Sequence, residues 1–372
     1  MLSGRRIVFV LGNLELGGAE RQALILARYL VEHEQAHVEV WGLTRSGPVA
    51  DICKQHGITS RVVPYPLHGH SEEAIANVAR LLRDANPDIL LPYTLTPNLV
   101  CGLIWMSTGA RSCVWNQRDE GSVPFAASAV RLASQQTPQF IANCKAGARF
   151  LTEKLGVDAD KVTVIRNGIE TVAPELDRRA WRERLQVDDR SFVACMVANL
   201  HANKDHATLL RAWRSFEPST IANGRKALLV LAGRHDGAYE SLASLVTELK
   251  IDDSVRFIGP VSDVSGLLGA VDLSVFSSRS EGCPNAVLES MAAALPVAGT
   301  DIEGIREVVG PAGAPWLAPP GDSDALAAVL KMLANNPRLC REVGVQNRER
   351  VRNDYDSLRL CKETAALLAQ IQ

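Results

Sequence analysis

Ser280-Glu281-Gly282-Cys283-Pro284-Asn285-Ala286-Val287-Leu288-Glu289 follows an apolar run, Leu273-Ser274-Val275-Phe276, and leads into the alanine-rich Ser290-Met291-Ala292-Ala293-Ala294. A buried strand, a tight loop and a helix in that order place Glu281 at the carboxyl end of a strand, where open α/β sheets bind their ligands. Pro284 suits the first helical turn, since its missing N–H has no helical partner to lose. The N–H groups at the helix start, with the positive end of the helix dipole, attract phosphate or polarised hydroxyl oxygens. Glu289 falls about one turn into that helix, close enough to share the crevice. Either carboxylate alone reads equally well as a solvated surface group. Together, beside anion-binding N–H groups, they suit a ligand rich in both hydroxyls and phosphate, such as a nucleotide sugar.

Working outward, short apolar runs alternate with longer amphipathic ones along the whole chain. Strands are expected at 7–11, 38–42, 61–63, 88–91, 113–115 and 140–142, with helices at 19–30, 72–84 and 146–155 between them. The pattern restarts with strands at 192–197, 228–232, 255–258, 273–276 and 296–298 and helices at 206–216, 239–249 and 324–334. Such alternation implies parallel sheets covered on both faces. A length of 372 residues exceeds one ordinary core. The expectation is α/β, with two Rossmann-like domains whose parallel sheets face each other across a cleft. Residues 1–168 form the first, capped by a last helix at about 356–372, and residues 169–355 form the second.

Composition excludes several classes. A net charge of −2 gives no reason to expect a nucleic-acid partner. The eight cysteines are scattered, without the close pairs of metal or redox motifs, and read as reduced, buried thiols. Met1-Leu2-Ser3-Gly4-Arg5-Arg6-Ile7-Val8-Phe9-Val10-Leu11 resembles a signal peptide superficially, but its apolar run is short and reads as a first strand. No stretch approaches the ~20 apolar residues of a membrane helix. A cytoplasmic protein is expected, at most weakly peripheral to the inner face of the cell membrane.

Two further loops carry chemistry. The first strand runs into Gly12-Asn13-Leu14-Glu15-Leu16-Gly17-Gly18-Ala19-Glu20-Arg21, which is neither a dinucleotide fingerprint nor a Walker A sequence. The Gly17-Gly18 pair opens a helix and permits close backbone approach to an anion. In the second half, Asn199-Leu200-His201-Ala202-Asn203-Lys204-Asp205-His206 follows a strand of the same sheet as the Glu281 loop. Lys204 is expected at a helix start, its ammonium available to a diphosphate. His201 and His206 make no metal spacing and read as cleft or surface groups.

These residues resemble the retaining nucleotide-sugar glycosyltransferases of family 4, which have the GT-B fold. The stretches that match are Leu16–Arg21, Ala142-Asn143-Cys144, Val164–Glu170, the Lys204 segment, Glu281–Glu289 and Thr300–Val309. The resemblance implies that Glu281 binds hydroxyls of the donor sugar, Glu289 holds the ribose, and Lys204 neutralises the diphosphate. It also implies that the Gly17-Gly18 backbone contacts those phosphates and that Phe257–Val261 borders the base. Carried over by position, the donor set is Gly17, Gly18, Asn199, Lys204, Glu281, Gly282, Cys283, Pro284, Asn285, Leu288 and Glu289. Two departures stand out. Asn199 occupies the place of a common arginine, leaving Arg234 or His201 to replace that cation. The first-domain histidine of many members is absent from Trp115–Gly121, where Asp119 is the nearest polar substitute, with Gln117 and Arg118 as alternatives.

The implied reaction moves a sugar from a nucleoside diphosphate sugar, such as a UDP-sugar, to an acceptor hydroxyl with retention. Catalysis falls to Lys204, Glu281 and Asp119, with no cofactor and no metal required. The implied acceptor is a carbohydrate or a lipid-linked molecule, in polysaccharide, lipopolysaccharide or glycolipid assembly. Its contacts are expected in the loops 64–71 and 117–125; Tyr93, Trp105, Trp115 and Phe125 are either sugar platforms or core. The alternatives are a GT-B nucleotide-sugar epimerase, and a catalytically degenerate homologue that only binds nucleotide sugars.

Overall fold

The computed structural model describes residues 2–66, 71–121, 127–216 and 225–371. The chain divides into two units, Met1–Gly168 with Ser357–Gln372, and Ile169–Asp356.

The first unit is built on seven strands: β1 (Arg6–Leu11), β2 (His37–Gly42), β3 (Thr59–Val62), β4 (Ile89–Pro92), β5 (Ser112–Gln117), β6 (Gln139–Ala142) and β7 (Val162–Val164). They pair in parallel in the order β3-β2-β1-β4-β5-β6-β7. Isolated apolar runs such as Ile7–Leu11 are wholly buried because a parallel sheet is covered on both faces. One cover is the pair of helices Gly18–Glu32 and Ser357–Ala369, which share a core through Leu24, Ala27, Leu360 and Leu368.

The second unit has β8 (Phe192–Val197), β9 (Ala227–Ala232), β10 (Val255–Gly259), β11 (Leu273–Phe276), β12 (Val297–Thr300) and β13 (Leu317–Ala318). Their order is β10-β9-β8-β11-β12-β13, again all parallel. In both units the chain order reverses beside the first strand, between β1 and β4 and between β8 and β11. Neighbouring loops there leave in opposite directions and open a crevice at the strands' carboxyl ends.

Strands β7 and β13 were not expected, being too short to show a period. The helix after Glu281 runs Asn285–Ala292, ending before the alanine run does, and Ala294 turns left-handed (φ 58°). Pro296 is the cause: it disfavours helical backbone at Leu295, so the chain must turn out before it. Among the described residues no helix is long and apolar enough to cross a membrane.

Candidate functional site

The Lys204 and Glu281 loops follow β8 and β11, the two strands flanking the switch point of the second sheet. Hydrogen bonds between described residues join the loops. The Arg279 N–H donates to the Asn203 carbonyl (2.9 Å), and Asn203 Nδ2 donates back to the Ser280 carbonyl (2.9 Å). Ser277 Oγ donates to the Lys204 carbonyl (2.9 Å), and Arg279 Nε donates to Asp205 Oδ2 (2.9 Å). At the centre Lys204 Nζ meets Glu281 Oε1 at 2.5 Å. The same oxygen accepts from Ser278 Oγ at 2.7 Å, and Glu281 Oε2 has no partner among the described residues. An ammonium and a carboxylate separated by 77 positions are thus held at one point, with one acceptor oxygen to spare.

A third loop sets the height of the Glu281 segment. The helix Glu303–Gly313 starts so close to it that a Cβ on Gly304 would lie 2.1 Å from the Glu281 carbonyl oxygen and 2.4 Å from that of Gly282. Only glycine lets the two backbones approach this closely. Gly233 plays the same part after β9, where a Cβ would meet the Ala198 carbonyl oxygen at 2.0 Å.

Lys204 ends a 3-10 turn, Ala202–Lys204, and the helix begins only at His206. Its expected place at the helix start is corrected by Asp205, which adopts φ 46° and ends the turn. The Asp205 carboxylate then accepts from the Thr208 N–H (3.3 Å) and hydroxyl (2.9 Å). Burial would raise the Asp205 pKa, but the bonds from Arg279 and Thr208 hold it below the ordinary aspartate value. His206 is corrected too. It is a core residue, 2% exposed, and its pKa is pushed down to about 4 by burial first and then by the neighbouring Lys204 charge.

The other second-unit residues sort by burial. Glu289 lies half-buried one turn into the helix Asn285–Ala292, and Pro284 before that helix offers no side-chain cap. Pro284 is the residue before that helix rather than in its first turn, with ψ 111°. Gly282 is buried beneath Gly304, and the Cys283 thiol packs into the core of the unit. Leu288 is fully buried and its N–H already bonds the Pro284 carbonyl (3.2 Å), so it presents nothing to a ligand. Asn199 Oδ1 accepts from the Arg234 N–H (3.1 Å), fixing the β8 loop to the β9 loop. The exposed Arg234 side chain has a loose partner in Asp236 (3.6 Å), and His201 Nδ1 accepts from the Asn203 N–H (3.2 Å). Beyond β9 the rings of His235 and Tyr239 stack at 4.0 Å, with Tyr239 edge-on to Phe257.

In the first unit, Gly17 precedes the helix Gly18–Glu32 and itself has no side chain to cap it. Buried Leu14 anchors this loop, its N–H donating to the Arg45 carbonyl (2.9 Å). Asp119 follows β5 at the same end of the sheet. It is exposed, and its Oδ1 accepts from Gln117 Nε2 (2.5 Å) and the Gly121 N–H (2.9 Å). The surrounding protein raises the Asp119 pKa against these two bonds, which lower it. Arg118 bonds Asn167 (2.5 Å) and lies over the Tyr93 ring. Trp115 and Tyr93 are core residues; Trp105 is half-buried, and its Nε1 donates to the Gln136 carbonyl. Phe125 and much of both expected acceptor loops (67–70 and 122–125) lie outside the described residues.

The fold and this site define a two-unit Rossmann-like protein with a cation and a carboxylate poised at a switch point. The family model Glycosyltransferase Family 4 matches residues 16–172, and Glycosyl transferases group 1 matches residues 177–350. The chain belongs to the family 4 glycosyltransferases. It is 33% identical over 175 residues to EpsD of Bacillus subtilis (strain 168), covering 47% of this chain and 44% of EpsD. It is 27% identical over 224 residues to the amylovoran biosynthesis glycosyltransferase AmsK of Erwinia amylovora, covering 58% and 53%. The chain spans about half the length of these curated relatives. Anabaena Alr3699/HepE, solved in complex with UDP and glucose, superposes with a TM-score of 0.85 at 21% identity, covering 98% of this chain and all of that one. The shared fold is GT-B.

Proposed function

We propose that the protein is a retaining glycosyltransferase that moves a sugar from a nucleoside diphosphate sugar, with UDP as the nucleotide, to an acceptor hydroxyl. The observation that carries the reading is the Lys204–Glu281 pair at the β8/β11 switch point, with Oε2 of Glu281 open. The name of AmsK and the ligands of HepE support it. Lys204 offsets the charge that builds on the departing diphosphate, aided by the N-terminal end of the helix Asn285–Ala292. Glu281 accepts hydrogen bonds from sugar hydroxyls and Glu289 from the ribose. The bond from the anomeric carbon to the diphosphate breaks as the acceptor oxygen attacks the same face. The acceptor proton passes to the departing phosphate oxygen, so the protein supplies neither nucleophile nor base. Lys204 and helix dipoles supply the positive charge, and transfer needs no metal or cofactor. The first unit holds the acceptor, a carbohydrate or lipid-linked molecule of surface polysaccharide assembly. The protein acts in the cytoplasm, with at most a weak peripheral contact to the inner face of the membrane.

The test is transfer, or slow donor hydrolysis, from UDP-sugars by the wild type and by Glu281→Ala. Losing a contact that strengthens in the transition state should lower turnover by roughly 10²–10³-fold with the fold intact. Undiminished turnover would contradict the assignment, and a wild type that binds UDP-sugars without turnover would favour the degenerate homologue.

A further inference from the structure

Ser277 and Ser278, where β11 ends, have no role in the chemistry above, yet both are fully buried. Their hydroxyls reach the two halves of the site separately. Ser277 Oγ donates to the main-chain carbonyl of Lys204 (2.9 Å), and Ser278 Oγ donates to Oε1 of the Glu281 carboxylate (2.7 Å). Ser278 is itself pinned, its carbonyl accepting from the Thr300 hydroxyl (2.5 Å) at the end of β12. One dipeptide therefore sets the height of the cation and the rotation of the carboxylate.

The Ser278 bond matters because Lys204 also donates to Oε1. Across this contact the two charges neutralise each other. A diphosphate arriving at Lys204 competes for the ammonium, and Glu281 then loses its counter-ion just when it must meet the sugar. A hydroxyl on the rigid strand end does not leave with the lysine.

We propose that Ser278 is the positioning residue for Glu281, holding Oε1 while Lys204 turns to the diphosphate, so that Oε2 stays presented to the sugar hydroxyls. Ser277 holds the Lys204 backbone in the matching way. The inference rests on the transferase reading above and adds the device that keeps its two charged groups in register.

The experiment compares wild type, Ser278→Ala and Ser277→Ala. Calorimetry gives Kd for UDP and UDP-glucose, kinetics give KM and kcat for donor hydrolysis, which needs no acceptor, and thermal melting checks the fold. Ser278→Ala should bind UDP within about twofold of wild type, lose the extra affinity for UDP-glucose over UDP, and lose about 10- to 100-fold in kcat. Ser277→Ala should instead weaken UDP itself, by about three- to tenfold, through the shifted Lys204. These crossed signatures separate positioning from general damage. A Ser278→Ala enzyme within twofold of wild type in kcat would overturn the inference alone. So would a parallel loss of UDP affinity and turnover, or a collapse in melting temperature. A wild type that binds neither UDP nor UDP-glucose would overturn the transferase reading and this inference with it.

Discussion

Gly304→Ala adds a single methyl group at the point where the Glu303–Gly313 helix meets the Glu281 loop. Its Cβ would stand 2.1 Å from the Glu281 carbonyl oxygen and 2.4 Å from that of Gly282. A carbon–oxygen contact needs about 3.3 Å, so one backbone must give by about 1 Å. Both atoms it strikes are main chain, and no side-chain rotation relieves the clash. Alanine favours a helix over glycine by about 1 kcal/mol, while overpacking costs about 1–3 kcal/mol. The net loss is therefore small, about 0–2 kcal/mol, and lowers Tm by a few degrees. Activity suffers far more, since a displacement of about 1 Å at a reacting group costs about 100-fold. The assay pairs thermal melting with donor turnover, using Gly269→Ala as the matched control. Gly269 sits in the helix Val264–Ala270 with nothing within 4 Å of its would-be Cβ. Gly304→Ala should melt within several degrees of wild type and turn over about 100-fold more slowly, with Gly269→Ala unchanged. Full turnover by Gly304→Ala would refute the claim that this backbone contact sets the position of Glu281.

Stability should fall in mild acid through His206. Its folded pKa of about 4 lies below the unfolded value of about 6.5, so the unfolded chain binds more protons between those limits. The contribution is complete above about pH 6.5 and is lost as pH falls toward 4, amounting to about 2 kcal/mol at pH 5. Urea titrations at pH 7.5 and pH 5 measure the difference, and His206→Leu should remove that part of the slope. Asp263 should act at lower pH. Burial would raise its pKa, but bonds from Trp181 Nε1, the Glu175 and Leu176 N–H groups and the Gly266 N–H hold it near 2. Its contribution is present above an unfolded pKa of about 4 and lost as pH falls through about 2. Asp263→Ala leaves buried donors unpaired and should cost about 3–5 kcal/mol at neutral pH, read as a lower urea midpoint.

Much of this was legible in the sequence wherever the signal was local. The apolar runs 192–197 and 273–276 and the amphipathic runs 206–216 and 239–249 coincide with β8, β11 and two helices. Each carries its own period and its own boundaries. Strands β7 and β13, with three and two residues, carry none. Glu281 and Glu289 were readable as a pair because one loop and one helical turn connect them. That Lys204 shares a crevice with the Glu281 loop was expected from their common sheet, but their direct contact was not, because it arises only when β8 and β11 become neighbours. Lys204 was misplaced by two residues because a left-handed Asp205 is a tertiary choice, made by its bonds to Arg279 and Thr208. His206 was misread for a similar reason: nothing adjacent in sequence reveals that it faces the core. The glycine at 304 gave no sign of its purpose until the Glu281 carbonyl stood beside it.

The central claim is that the β8/β11 switch point receives the diphosphate of a sugar donor, and calorimetry of UDP binding tests it most directly. Wild type and Lys204→Ala are titrated with UDP in EDTA and again with magnesium. The expected result is wild-type binding that magnesium does not alter and that weakens about 10- to 100-fold in Lys204→Ala. Equal UDP affinity in the two proteins, or none in either, would contradict the claim.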